Sequence, residues 1–371
     1  MELQRAGTKF VCLLALLPLS SACAQTPGPS ETQAPTVITR TTLVLVPTLV
    51  RTKEGAPVFT LTAKDFTLTD DGIEQPVSVE EETGSEPLAL VVAVETGGAG
   101  ARHLSSVHNL GPAVEAVIGS VPHRVAVVEF DSTPRLAQSF TADLDTVAET
   151  LRGLEAGDRG AAILDGLGFS IDLLRRQPAV YRRAILLISE TADHGSQTKL
   201  KDALHALSDT NTAIYSVVFS SAKSAAGHEA AMILGDSTPG PPGGCMAKDP
   251  NAEPGQNRWG QAFDCLGLLA PPLRLAKAAA MAAADSMQRN AAEGVAQLTG
   301  GEYFKFTDAR SLERDVLAIS HHLPNRYVLS FHPLAPHPGF HAIGLRLKDY
   351  PDLVVQARNG YWADEDEKLI Q

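Results

Sequence analysis

The chain has 371 residues, of which 44% are hydrophobic and 20% charged, and a formal net charge of -12. At roughly 150 residues per domain the length predicts two domains, and the hydrophobic content supports a sizeable core. The acidity, with no Lys/Arg-rich run anywhere, excludes nucleic acid as a partner, because phosphate binding needs clustered cationic side chains.

Residues 1–24 read as a signal peptide rather than as part of the fold. Arg5 and Lys9 give a basic start, and residues 10–19 are an apolar run too short to span a bilayer. Ala22-Cys23-Ala24 offers small residues for cleavage before Gln25. The competing reading is a lipoprotein box with Cys23 lipidated, although Leu19 stands one place too far from that cysteine. Both readings predict export, to the periplasm or the cell exterior. No later stretch has the ~20 apolar residues of a transmembrane helix. In an oxidising compartment the remaining cysteines, Cys245 and Cys265, are expected to form a disulfide, with two unpaired thiols as the alternative. A bridge across that loop would stabilise by about 3 kcal/mol.

Residues 25–38 are rich in Pro, Ser and Thr and read as a disordered linker. An N-terminal β segment occupies 39–84. It begins with the β-branched run at 41–50, passes the turn at 53–57 and alternates again around Asp70-Asp71-Gly72, a hairpin signal. At Leu88 the texture changes. The runs at 88–95, 124–130, 184–189 and 213–219 are continuously apolar, as expected of strands buried on both faces. Helical spacing appears at 103–121, 144–154, 161–175 and 200–207, and a short strand is expected up to Phe140. This alternation predicts an α/β unit at 85–323 with a doubly wound, mostly parallel sheet of Rossmann-like type.

Residues 220–269, with the Pro239 to Gly244 run and both mature cysteines, read as a surface insertion. An Ala-rich helix is expected over 271–298, capped by Gly300-Gly301, then a strand at 302–306 and a helix at 308–321. The strands predicted at 327–332, 340–347 and 353–358 make 324–363 a C-terminal β segment, expected to pack with the N-terminal one as a small β domain. Residues 364–371 are a tail.

In order and spacing the 88–306 segment resembles the von Willebrand factor A (VWA) domain superfamily. Val44 to Asp71, Arg326-Tyr327-Val328-Leu329 and Arg358-Asn359-Gly360-Tyr361-Trp362-Ala363 resemble the flanking segments of the acidobacterial VWFA-related proteins. The resemblance implies a binding module with a metal-ion-dependent adhesion site at the carboxyl ends of the strands. There the family carries Asp-x-Ser-x-Ser, a Thr and an Asp, and an acidic residue of the partner completes the ion's coordination. This chain departs at each position. It reads Glu95-Thr96-Gly97-Gly98-Ala99, then Gly160-Ala161-Ala162, then Ser189-Glu190-Thr191.

A hard divalent ion needs several oxygen ligands in a tight shell, and Gly97, Ala99 and Ala161 offer no side-chain oxygen. Glu95 and Glu190 keep the charge with an extra methylene. The expectation is therefore a degenerate site without cofactor, the alternative being Mg²⁺ or Ca²⁺ held by Glu95 and Glu190 in a rearranged one, with Asp165 or Asp193 helping only by chance. Without the ion the two carboxylates would leave a negative, glycine-lined face. The Gly97-Gly98-Ala99-Gly100 turn lacks phosphate-loop spacing and a following Lys, and there is no Gly-x-Ser-x-Gly elbow. His194, His321 and His322 read as surface residues, and Tyr361 and Trp362 as packing. The sequence thus predicts a non-enzymatic module for a protein or cell-surface ligand, with a structural envelope component as the alternative.

Overall fold

A computed structural model describes residues 43–81, 86–209, 211–219, 287 and 289–363. The signal peptide with Cys23, the linker, the insertion with Cys245 and Cys265, and the tail lie outside these residues.

The central layer is a six-stranded sheet. Its members are β5 (Leu88–Glu95), β6 (His123–Phe130), β7 (Pro134–Thr141), β8 (Arg182–Ser189), β9 (Thr212–Val218) and β10 (Tyr303–Lys305). They lie in the order β10-β9-β8-β5-β6-β7. All neighbours pair parallel except the edge strand β7, which runs antiparallel to β6. Every residue of β5 is buried, as its unbroken apolar run requires of a strand covered on both faces.

Alternation along β5 divides the core. Leu88, Leu90, Val92 and Val94 face one cluster, which is completed by α1 (Leu104–Val107), α2 (Gly111–Ile118) and α3 (Leu144–Arg152). Ala89, Val91 and Ala93 face the other, with α4 (Ile163–Arg175), α5 (Leu200–Asp209) and α6 (Ala291–Thr299). The last helix, α7 (Ala309–His322), closes the first face through Leu312, Val316 and Ile319.

The expected single helix over 103–121 is two helices. Pro112 occupies the first turn of α2, where its missing N–H costs nothing but where it cannot continue a preceding helix. The expected stop at Gly300 holds: its φ of 73° is left-handed, and its amide closes onto the last turn of α6.

The segments that flank the α/β unit, 44–81 and 327–363, interleave in antiparallel sheets. In one, β1 (Val44–Thr52) lies between β11 (Tyr327–Phe331) and β13 (Leu353–Ala357), with β4 (Ser78–Glu81) outside β11. In the other, the order is β14 (Gly360–Ala363), β12 (Gly339–Leu347), β2 (Phe66–Asp70), β3 (Ile73–Gln75). Val46, Leu329, Leu68, Ile343 and Tyr361 from both sheets share one core. The fold class is thus α/β with a small β region built from both flanking segments, as the alternation predicted.

Candidate functional site

In the central sheet the chain runs outward from β5 through β6 to β7, then returns to start β8 on the other side. The order reverses between β5 and β8, and open α/β sheets bind ligands beyond the carboxyl ends at such a point. Glu95 ends β5 and Glu190 follows β8, so the sequence-predicted positions do converge there.

They are not a solvated face. Glu95 is 1% exposed and Glu190 2%. The longer Glu95 side chain turns inward: Oε1 accepts from the amide of Gly100 at 2.9 Å and Oε2 from the amide of Glu190 at 2.7 Å. The carboxyl therefore bridges the crevice between the two loops instead of pointing out of it. Burial pushes its pKa up to about 8, and the neighbouring Glu190 charge acts in the same direction, against the two amide hydrogen bonds.

The remaining predicted positions are packed shut by a second loop. Residues 153–162, between α3 and α4, lie across the ends of β5 and β6. Gly157 donates to the Thr96 carbonyl at 3.0 Å, Gly98 to the Asp158 carbonyl at 2.9 Å and Ala162 to the Asp131 carbonyl at 2.8 Å. A Cβ on Gly97 would stand 2.2 Å from the Gly160 carbonyl oxygen and 2.8 Å from Asp131 Cβ. Where the family's first serine would stand, this backbone leaves no room for any side chain. Ala99 is buried in the helical core, and Ala161 pairs in a bridge with His194. Thr96 is fully buried, with its hydroxyl on the Phe130 carbonyl at 3.3 Å.

Asp131 holds this loop, and the sequence pattern does not single it out. It sits one residue past β6, and Arg135 clasps both carboxylate oxygens, Nη1 to Oδ1 at 3.0 Å and Nη2 to Oδ2 at 2.8 Å. The amides of Thr133 and Asp158 donate to it as well. Burial alone would raise its pKa; the Arg135 bonds and these amides outweigh that and hold it at about 2. Asp158 in turn accepts from the amides of Ser132 and Gly160. The signal available in the sequence is Asp131-Ser132-Thr133-Pro134 after an apolar strand, which also reads as an ordinary turn.

Asp193 and Asp165 tie the start of α4 to the loop ahead of α5. Asp193 accepts from the Leu164 amide at 3.0 Å, in the first turn of α4, while Asp165 accepts from the amides of Gln197 and Thr198 ahead of α5. His194 Nε2 lies 3.7 Å from Glu190 Oε1. Of the other histidines, His321 is exposed but His322 is not a surface residue. It is 7% exposed, with Nδ1 3.0 Å from both Glu302 oxygens and Nε2 3.2 Å from the Gly55 carbonyl. Tyr361 packs as expected, on His341, within a second buried polar cluster of the antiparallel region.

No protein-family description and no curated protein matches the chain. Among solved structures, a von Willebrand factor type A protein from Catenulispora acidiphila is similar, with 10% identity over 89% of this chain and 76% of that one, at a TM-score of 0.42. An aerotolerance-related membrane protein from Bacteroides fragilis has 13% identity over 63% of this chain and 98% of that one, at 0.35. The vWF domain of the type V pili tip protein Mfa5 from Porphyromonas gingivalis has 20% identity over 29% of this chain, at 0.27, and the chain covers 39% of that structure's length. The α/β fold stands on the strand order itself, and two of these three similar structures are described as von Willebrand factor domains.

Proposed function

We propose that the chain is an exported, non-enzymatic binding module that engages a protein or cell-surface ligand through the rim loops without a divalent ion. In sequence pattern it resembles the acidobacterial VWFA-related proteins. The observation that carries the reading is the bridge from Glu95 to the amides of Gly100 and Glu190. An ion at the switch point would have to take that carboxylate away from two buried N–H groups, each costly to leave unpaired. Asp131, Asp165 and Asp193 are likewise engaged with amides or with Arg135. Nothing in this donor set approaches the near-octahedral oxygen shell that Mg²⁺ demands.

Glu95 is the kind of perturbed carboxyl that marks catalytic sites, and its environment supports the opposite reading here. It is sealed from solvent, and the nearby hydroxyls of Thr96 and Ser189 donate to the carbonyls of Phe130 and Glu190. Binding would use the exposed backbone and side chains of 155–159 instead.

Calorimetry of the mature protein with Mg²⁺ and Ca²⁺ tests this, together with capture from envelope extracts and mass spectrometry of the mature amino terminus. The reading predicts no micromolar heat; micromolar binding that disappears in Glu95→Ala would restore the rearranged, metal-dependent adhesion site. Capture of nothing by the folded chain would favour the structural envelope role.

A further inference from the structure

The second polar cluster shares no residue with the rim and joins the β2–β3 turn to β12 and β14. Asp70 ends β2, and Asp71 and Gly72 form the tight turn into β3, both with positive φ, 49° and 82°. The left-handed Asp71 fits a type I′ hairpin. Its carboxylate is fixed at one end, since Oδ1 accepts from the Ala342 amide at 2.9 Å. The other oxygen, Oδ2, faces two imidazoles. His337 Nε2 and His341 Nδ1 each stand 3.0 Å from it. Asp70 Oδ1 is 3.1 Å from the same His341 nitrogen, and Tyr361 donates its hydroxyl to Asp70 Oδ2 at 3.0 Å.

The far nitrogens of both rings are committed to acceptors. His341 Nε2 lies 2.7 Å from the His337 carbonyl, and His337 Nδ1 3.2 Å from the Pro338 carbonyl. A carbonyl takes a hydrogen bond only from N–H, so both far nitrogens carry protons. In the neutral rings, the nitrogens facing Asp71 are then lone pairs aimed at a carboxylate. A proton or a metal ion facing the carboxylate relieves this. Protonating both rings would stack two imidazolium groups, whose centroids are 3.9 Å apart at 16°. A single divalent ion serves both rings at once and balances the two carboxylates.

We propose that Asp71, His337 and His341 form a binding site for a zinc-class divalent ion, with Asp70 beside it. The donor atoms of the three side chains lie within 4.8 Å of one another. A tetrahedral site with bonds of about 2.1 Å has donors roughly 3.4 Å apart, so the two 3.0 Å separations here would open slightly on binding. Two imidazoles and a carboxylate favour zinc-class ions over Mg²⁺ or Ca²⁺. Hydrogen bonds from the outer ring nitrogens to carbonyls are the usual means of fixing ligating histidines. His341 and Asp71 are buried while His337 is partly exposed, which leaves one approach open to solvent. The ion would staple the β2–β3 turn to the segment leading into β12, and so the N-terminal β segment to the C-terminal one.

The test uses the full mature chain, stripped with a chelator and titrated with Zn²⁺ by calorimetry, and with Co²⁺ by visible absorption. The site predicts one equivalent bound, a tetrahedral Co²⁺ spectrum and a rise in Tm on Zn²⁺ addition. His337→Ala, at the exposed ligand, should keep the fold by circular dichroism and weaken Zn²⁺ binding at least about tenfold. Asp71→Asn should do the same, and Glu95→Gln should leave Zn²⁺ binding unchanged, which separates this site from the rim. Equal Zn²⁺ uptake by the wild type and a folded His337→Ala, or no uptake by either, would overturn the proposal and leave an imidazolium in the ion's place.

Discussion

Glu95 Oε2 accepts a 2.7 Å hydrogen bond from the backbone amide of Glu190, across the point where the strand order of the central sheet reverses. The crevice that open α/β sheets use for ligands is here tied shut by one buried carboxyl. Its titration gives a pH signature. The pKa rises from an ordinary 4.5 in the unfolded chain to about 8 in the folded one, so between those values the native state holds the extra proton. Stability from this group is fully present below about pH 4.5 and is lost as pH rises to about 8. A tenfold change in proton affinity is worth about 1.4 kcal/mol, so the loss is at most several kcal/mol. Urea midpoints measured from pH 5 to 8 should fall in the wild type and fall less in Glu95→Gln. The glutamine variant should also start about 1–2 kcal/mol less stable, because its NH₂ meets one of the two amide donors.

A hydroxyl side chain at position 97 should not be tolerated. Gly97→Ser places Cβ 2.2 Å from the Gly160 carbonyl oxygen, and the loop must move to admit it. Overpacking of this kind costs about 1–3 kcal/mol. Gly97→Ala should cost the same, since the clash belongs to Cβ. Thermal unfolding of both variants checks this, and a stabilising Gly97→Ser would show that the 153–162 loop yields easily.

Much of this architecture is legible in the residues, and the exceptions have one cause. The unbroken apolar runs at Leu88, Val125 and Ala184 mark strands covered on both faces, and Asp71-Gly72 marks its hairpin, because each signal is local. Where the Glu95 side chain goes is not local: its two donors come from 5 and 95 positions away. Gly97, Gly157 and Gly160 look like loop composition in the sequence. Only the fold shows that they let two backbones interlock. In the same way Asp70 and Asp71 read as turn residues, because His337 and His341 lie some 270 positions downstream. Pro112, by contrast, is a readable break in the helix over 103–121.

Asp131 should anchor the second loop. Asp131→Ala leaves Arg135 without its tightest partner and two amides without an acceptor, at a cost of about 1–3 kcal/mol. With its folded pKa near 2 against an ordinary 3.8, its contribution is present above about pH 4 and disappears as pH falls towards 2. Acid unfolding curves should therefore be flatter between pH 4 and 2 for Asp131→Asn. Protease cleavage within 153–162 should also be faster in the variant.

Asp193 is expected to matter as an acceptor at the start of α4. Asp193→Ala removes the acceptor for the Leu164 amide and the partner of Ser196 at 2.6 Å, and should cost about 1 kcal/mol. Chemical denaturation gives the number directly. If Asp193→Ala instead abolished a divalent-ion response at unchanged stability, the residue would be a ligand rather than a structural tie.

The most direct measurement is anomalous diffraction from crystals of the full mature chain soaked in Mn²⁺, because it reports position as well as occupancy. A metal-free rim predicts no peak between Glu95, Gly97 and Glu190, whatever appears beside His337. A strong peak among those three residues would contradict it.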